Sequence, residues 1–211
     1  MLFMLCCIYN KSVHGSDSGH YMLVQDAFTP EELEALRQFN LETGIKINDR
    51  DIQPNSAFVH EVWRVEKSLE DNLPSVYGKL QDLLSTGIKY WRVQNFSSNR
   101  HFEIEYIVYD VKKHNRPPQF SSHVDNDSLI TIIVLLSKED EYGGGIFRFV
   151  ENKTPTIGFG DVLMFRGEEL EHGVSPVEFG RRVVLQLEFA EDFTGNARFD
   201  SVEEYLQKYE I

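Results

Sequence analysis

The chain has 211 residues, of which 41% are hydrophobic and 26% are charged, and these values are typical of one globular domain with a substantial core. Its 34 acidic residues outnumber its 21 basic ones and give a formal net charge of −13, which argues against nucleic acid as a partner, because binding to phosphates depends on Lys and Arg. The two cysteines, Cys6 and Cys7, are adjacent, so the sequence contains no disulfide framework and no C-x-x-C metal motif.

The apolar start of the chain, residues 1–9, is too short to span a membrane. It has the character of the hydrophobic part of a short signal peptide, but no Lys or Arg precedes it, so an extra strand or a tail explains it equally well. We expect residues 1–20 to be an N-terminal tail or a short signal segment. The location stays open between the cytoplasm and, if residues 1–15 are a signal peptide, the secretory pathway.

Helical signals dominate the first half of the chain. Residues 21–28 have a strand pattern, and a helix is predicted directly after them, with Thr29 as its N-cap and Glu32 completing a capping box. A second and longer helical pattern runs from about residue 61 to residue 90.

From residue 101 the sequence changes to short runs rich in Ile, Val, Phe and Tyr that alternate with Gly, Pro and Asn, as in antiparallel strands and turns. The runs are 103–111, 128–137, 145–150, 161–166 and 181–190. We therefore predict an α+β domain over residues 21–190, with a β-core at about 101–190 and helices packed on one side of it. Residues 191–211 are predicted to be a C-terminal tail with a short helix that begins at Ser201.

The last predicted strand has two chemically different faces. The odd positions from Val183 to Phe189 are apolar, and the even positions from Arg182 to Glu188 are mostly polar. Side chains alternate between the faces of a strand, so Arg181 and Arg182 point in opposite directions. The alternation predicts that Arg182 enters the interior and that Arg181 lies outside.

The triplet His123-Val124-Asp125 precedes the most apolar run of the chain. His123 and Asp125 are two positions apart, so at the end of a strand their side chains point the same way. Non-haem iron sites use two histidines and one carboxylate, and His172 is the only histidine that follows Asp125 in the sequence. Without His172 the triplet reads as two solvated polar residues at a strand end.

The segment from about Glu103 to Phe189 resembles the catalytic core of the 2-oxoglutarate/Fe(II)-dependent dioxygenases, in the prolyl 4-hydroxylase and procollagen lysyl hydroxylase group. Four stretches carry the resemblance in order: HVD, EYGGGIFRF, PTIGFGDVLMF and HGVSPVEFGRR. The opening YMLVQDAFTPEELEAL is similar to the strand and helix with which these enzymes begin. The resemblance implies a double-stranded β-helix, which is a jelly-roll or cupin-like core with N-terminal helices packed on one sheet.

The resemblance also implies roles for individual residues. His123, Asp125 and His172 would bind Fe(II) as the catalytic metal, and Arg182 would bind the far carboxylate of 2-oxoglutarate, for which a guanidinium is suited. Tyr109 would donate a hydrogen bond to that carboxylate, with Tyr106 on the opposite face as the second choice. Thr131 is the weaker candidate for the same pocket.

The implied reaction consumes O2 and 2-oxoglutarate, with ascorbate as an optional further cofactor, releases succinate and CO2, and hydroxylates an aliphatic C–H bond. The resemblance favours a prolyl or lysyl side chain of a peptide or protein as the substrate. The alternatives are a free amino acid or small metabolite and, in a different class, a non-catalytic cupin-like binding module. Because Asp125 is present, no ligand position is freed for a halide, so hydroxylation is favoured over halogenation. The oligomeric state and the role of the basic loop 112–116 stay open.

Overall fold

The computed structural model describes residues 13–15, 20–47, 58–93, 101–125, 128–151 and 154–190, and within them two antiparallel sheets form the core. The predictions for residues 1–12 and for the helix at Ser201 lie outside the described residues. No helix of the described part is long and apolar enough to cross a membrane.

The larger sheet contains nine strands of the described chain. In spatial order they are β1 (Val13–Gly15), β2 (Tyr21–Val24), β11 (Val162–Phe165), β8 (Ser128–Leu135), β13 (Val177–Ala190), β6 (His101–Asp110), β5 (Glu61–Arg64) and β3 (Ile45–Ile47), and β9 (Tyr142–Gly144) pairs with the start of β13. The smaller sheet has the order β10 (Phe147–Phe149), β12 (His172–Val174), β7 (Gln119–His123) and β4 (Phe58–Val59).

Three α-helices and a short 3-10 helix occur in the described residues: α1 (Pro30–Arg37), the 3-10 helix Leu41–Thr43, α2 (Glu66–Asn72) and α3 (Pro74–Tyr90). The predicted capping box at the start of α1 is confirmed, because the Thr29 hydroxyl accepts from the Glu32 N–H at 3.2 Å and the Glu32 carboxylate accepts from the Thr29 N–H at 2.8 Å.

The helical pattern predicted from about residue 61 to residue 90 is confirmed from residue 66 onward and is wrong at its start. The segment begins as strand β5, which pairs with β6 and β3, and its helical part is divided into α2 and α3 at Leu73. Pro74 causes the division, because proline lacks an N–H and disfavours helical dihedral angles in the residue before it. Leu73 accordingly has φ −132° and ψ 59°.

Two apolar clusters lie on opposite faces of the larger sheet. One packs α1, α2 and α3, through residues such as Leu36, Leu69 and Leu80, against strand residues such as Ile132 and Leu185. The other fills the space between the two sheets. The predicted α+β jelly-roll core with helices on one sheet is confirmed, and any candidate site between the sheets is shielded from the helices by the larger sheet.

Candidate metal centre and co-substrate pocket

The smaller sheet brings His123 and His172 together. His123 ends β7 and His172 begins β12, and the two residues are direct partners in the antiparallel pair of these strands. Their ring centroids lie 4.5 Å apart. One metal-ligating atom from each of His123, Asp125 and His172 lies within 4.8 Å of the others, so the three residues predicted from the sequence form one group.

Backbone carbonyls fix how both imidazoles are oriented. Nδ1 of His123 lies 2.8 Å from the carbonyl oxygen of Ser121, and Nδ1 of His172 lies 2.8 Å from that of Leu170. A carbonyl oxygen only accepts hydrogen bonds, so each Nδ1 carries the proton and each Nε2 keeps its lone pair. Both Nε2 atoms face Oδ1 of Asp125, at 3.2 Å for His123 and 3.5 Å for His172. This is the arrangement in which a histidine binds a metal through Nε2.

The two oxygens of the Asp125 carboxylate make different contacts. Its Oδ1 faces the histidines, while its Oδ2 accepts a 2.6 Å hydrogen bond from the hydroxyl of Thr131. The Asp125 backbone is held as well, since its N–H donates to the carbonyl of Gly167 at 3.0 Å. Oδ1 is therefore the oxygen that is available to a metal ion.

The charge states of the group suit a metal ligand set. Burial lowers the pKa of His172 and outweighs the opposite effect of the nearby Asp125 charge, so its imidazole is kept neutral. Burial by itself raises the pKa of Asp125, but its contacts with His123, His172 and the Thr131 hydroxyl together lower it below its usual value. Two imidazoles and one carboxylate are the donors that Fe(II) takes in non-haem oxygenases.

A narrow cavity extends from this group between the two sheets. Its volume is about 10 Å³, so any ligand larger than a water molecule requires side chains to move. The lining residues are Tyr109, Phe120, His123, Ile133, Phe147, His172, Val174, Arg182, Val184 and Gln186.

Arg182 enters this cavity as strand alternation predicts. It is 3% exposed, whereas Arg181 next to it is exposed on the other face of β13. The Nε and Nη1 atoms of Arg182 are buried and have no hydrogen-bond partner among the described residues. A buried cation without an anion is costly, so the site is built for a ligand that brings a negative charge.

The structure places Tyr109 directly opposite Arg182 on β6, and the guanidinium carbon lies 5.3 Å from the centre of the Tyr109 ring. Gly145 packs on the other side, where a Cβ atom would come within 2.8 Å of Arg182 Cδ. The glycine at this position, with φ +59°, therefore makes room for the arginine as well as forming a turn.

Thr131 occupies a different place from the one expected for it. Its hydroxyl contacts Asp125 and Ser128 and does not line the cavity that contains Arg182. Its contact is with the metal group and not with the co-substrate pocket. The basic loop 112–116 does not line the cavity either, and Lys113 in it pairs with the buried Glu61 at 2.9 Å.

Sequence reasoning missed several residues of the interior. Phe120 stacks on the His123 ring with centroids 3.8 Å apart, and His60 lies against both Phe120 and Tyr109. Gln186 lines the cavity and donates a 2.6 Å hydrogen bond to Glu188, two positions further along β13. The alternation of side chains along β13 indicates that Gln186 and Glu188 face the interior, because both occupy even positions like Arg182.

No protein-family model matches the sequence, and no curated protein matches it. Solved structures do match in fold. The viral collagen prolyl hydroxylase of Paramecium Bursaria Chlorella virus-1, in its 2-oxoglutarate complex, aligns with 84% of this chain and 100% of its own at 16% identity and a TM-score of 0.58.

Two further structures show how widely the fold is shared. A prolyl hydroxylase from Trichoplax adhaerens, solved with a hypoxia inducible factor peptide, aligns with 82% of this chain and 84% of its own at 16% identity and a TM-score of 0.56. The α-ketoglutarate-dependent epimerase SnoN of nogalamycin biosynthesis covers 88% of this chain and 89% of its own at 14% identity and a TM-score of 0.58. The chain thus has the jelly-roll fold of the 2-oxoglutarate- and Fe(II)-dependent oxygenases.

Proposed function

We propose that the protein is an Fe(II)- and 2-oxoglutarate-dependent dioxygenase that hydroxylates an aliphatic C–H bond. The observation that carries the proposal is the pairing of a His-Asp-His group with a buried arginine that has unpaired donors in one cavity. A three-residue metal site alone would fit many enzymes. A buried arginine beside such a site indicates that an anionic ligand binds there as well. 2-Oxoglutarate has one carboxylate that can bind the metal and another at its far end.

Each residue of the cavity has a task in this proposal. His123, Asp125 and His172 would hold the metal. Arg182 binds the far carboxylate of the co-substrate in place of its stacking on Tyr109, and the Tyr109 phenol donates to the same group. The rings of Phe120 and Phe147 keep water away from the metal group. Bound Fe(II) supplies the activation of O2 that couples decarboxylation of 2-oxoglutarate to oxidation of the substrate.

A peptide or protein with a prolyl or lysyl side chain is the proposed substrate. The support is the fold shared with several prolyl hydroxylases, one of them solved with a peptide. The similarity to the SnoN epimerase, with the same TM-score as the viral enzyme, favours a small molecule as the second candidate. A binding module without catalysis is disfavoured, because it has no need for a buried Arg182 beside a metal group.

Anaerobic addition of Fe(II) and 2-oxoglutarate to the purified protein tests the proposal. We expect the weak visible charge-transfer band of a chelated ferrous site, and its loss in His172→Ala. Arg182→Gln should raise the concentration of 2-oxoglutarate that gives half of the maximal band about tenfold or more, because a charge-assisted hydrogen bond is lost. Arg181→Gln is the matched control, since it removes the same charge from the neighbouring residue on the other face of the sheet.

The absence of the band in the natural sequence, or an equal loss in Arg181→Gln and Arg182→Gln, would contradict the proposal. Succinate release then identifies the substrate class. We expect the strongest stimulation by Pro-containing or Lys-containing peptides, and a stimulation confined to free amino acids or other small molecules would favour the second candidate.

A further inference from the structure

A larger cavity lies on the opposite face of β13 from the metal group. Its volume is about 270 Å³, and it opens between the end of α1, the loop between β8 and β9, and the larger sheet. Its lining residues are Arg37, Tyr106, Leu136, Ser137, Glu141, Arg181 and Val183. Tyr106, Leu136 and Val183 belong to the helix-side core, so the sheet separates this cavity from the one that contains Arg182.

Two guanidinium groups line the cavity, and one of them, that of Arg37, pairs with Glu141 and, at 3.9 Å, with Glu34. Nη2 of Arg37 donates to Glu141, while Nη1 of Arg37 is buried and has no hydrogen-bond partner among the described residues. Arg181 is exposed at the cavity and forms no ion pair within the described part of the chain. The cavity therefore offers a ligand two donor groups without an acidic partner among the described residues, the Arg181 guanidinium and Nη1 of Arg37.

Hydrogen bonds hold the side chain of Arg37 and the backbone at Arg181. The hydroxyl of Ser137 donates to the Arg181 carbonyl at 3.0 Å and accepts from the Val183 N–H at 2.8 Å, which fixes the strand at this point. Arg37 also stacks over Phe159 with its guanidinium carbon 5.4 Å from the ring centre. Side chains that are already ordered lose less entropy when a ligand binds.

The inner wall combines one polar group with hydrocarbon. Tyr106 is 2% exposed, and its side chain lines the cavity. Burial raises the pKa of this tyrosine, with Arg181 and Arg37 acting in the opposite direction, so the phenol stays protonated and can donate. Leu136 and Val183 supply the apolar part of the wall.

We propose that this cavity is a second ligand site, separate from the metal centre, for a small organic carboxylate. The carboxylate would lie between Arg181 and Arg37 and accept from the Tyr106 hydroxyl, and its hydrocarbon part would pack on Leu136 and Val183. A guanidinium fork matches the planar geometry of a carboxylate, and the missing partner of Arg37 Nη1 is then supplied by the ligand. The cavity volume is near the lower end of the range for metabolite sites, about 300 Å³, which limits the ligand to a small one.

Binding of 4-fluorobenzoate to the full chain, followed by fluorine NMR, tests this site. The experiment includes Zn²⁺, so that the metal group is occupied, and leaves out 2-oxoglutarate, which is itself a small carboxylate and would compete with the probe. We expect saturable binding that Arg181→Gln weakens about tenfold and Tyr106→Phe weakens by a smaller factor, because a charge-assisted hydrogen bond contributes more than a neutral one.

Two matched variants distinguish binding at this cavity from a general effect of charge and from binding in the catalytic cavity. Lys138→Gln removes one positive charge close to Glu141 without changing the lining, and Arg182→Gln removes one from the other face of β13. Both should leave the affinity for 4-fluorobenzoate within about twofold of that of the natural sequence.

The proposal would be overturned by an absence of saturable binding, by equal weakening in Arg181→Gln and Lys138→Gln, or by equal affinity for 4-fluorobenzyl alcohol, which lacks the carboxylate. Loss of binding in Arg182→Gln alone would assign the probe to the catalytic cavity and would also overturn it. Thermal melting of each variant confirms that the chain is folded, and Arg181 is suitable because its side chain is exposed.

Discussion

The hydroxyl of Thr131 donates a 2.6 Å hydrogen bond to Oδ2 of Asp125, the carboxylate oxygen that faces away from both histidines. Thr131 is fully buried, and its hydroxyl in turn contacts that of Ser128 at 3.0 Å. The bond fixes the rotation of the carboxylate, so that Oδ1 stays directed at the two Nε2 atoms. Thr131 is therefore a positioning residue for the metal group.

Thr131→Val should weaken metal affinity by about 10- to 100-fold, because an outer-shell partner of a metal ligand is lost while the side-chain shape is kept. Competition between the protein and a coloured Fe(II) chelator under anaerobic conditions measures the effect. Thr131→Ser keeps the hydroxyl and should retain most of the affinity. Equal affinities in the valine and serine variants would show that the hydrogen bond does not position Asp125.

Gly167→Ala should disturb the packing of Thr131 and Asp125. A Cβ atom at this position would lie 2.3 Å from Thr131 Oγ1 and 2.9 Å from Asp125 Oδ2, so the hydrogen bond and the carboxylate cannot both stay in place. Overpacking of this kind costs about 1–3 kcal/mol, and each kcal/mol lowers the melting temperature of a chain of this size by about 2–4 °C.

Gly78→Ala is the matched control for that change. Gly78 lies in α3 with no atom within 4 Å of the added Cβ, so alanine should stabilise the helix by up to about 1 kcal/mol. Melting temperatures and metal titrations of both variants measure the difference. A Gly167→Ala protein that melts and binds metal like the natural sequence would contradict the tight packing at Asp125.

Tyr109→Phe should raise the KM for 2-oxoglutarate by up to about tenfold, because a neutral donor to a buried carboxylate is removed. Tyr106→Phe is the control on the same strand, and it should leave this KM unchanged because Tyr106 faces the helix side of the sheet. Initial rates of succinate release at varied 2-oxoglutarate concentration give both values. A larger effect of Tyr106→Phe would reverse the assignment of the two tyrosines.

Glu188 makes the metal-free protein less stable as the pH rises. Burial, together with the charges of Asp125 and Glu105, raises the pKa of Glu188 well above its ordinary value of 4.5. Between that ordinary value and the raised one, the folded chain holds a proton that the unfolded chain releases, so stability is lost with increasing pH. Below about pH 4.5 both states hold the proton and the penalty disappears.

Glu188→Gln should therefore raise the melting temperature by a few degrees near neutral pH and by less at acidic pH, since about 1.4 kcal/mol accompanies each unit of pKa shift. The amide oxygen can still accept the hydrogen bond from Gln186. Calorimetry in a chelating buffer at several pH values measures the trend. Glu178→Gln, at an exposed position of the same strand, should show no such trend, and equal behaviour of the two variants would refute the interpretation.

The sequence by itself determined the features that depend on short-range patterns of residues. The period of two along β13 placed Arg182 inside and Arg181 outside, and the same period directed His123 and Asp125 to one side. The capping box at Thr29 was equally readable, because its two hydrogen bonds join residues three positions apart. These features need no knowledge of which strands are neighbours.

Only the tertiary structure decided which distant residues meet. The pairing of β7 with β12 sets His172 opposite His123, and the contact of Thr131 with Asp125 depends on how the chain returns through Gly167. The alternation of side chains along a strand shows which face of the sheet a residue occupies, but not which strand lies beside it. The neighbouring strand determines which residues can form hydrogen bonds across the fold. For the same physical reason the helix-side cavity, where Arg37 approaches Arg181 from a segment far away in the chain, has no signal in the sequence.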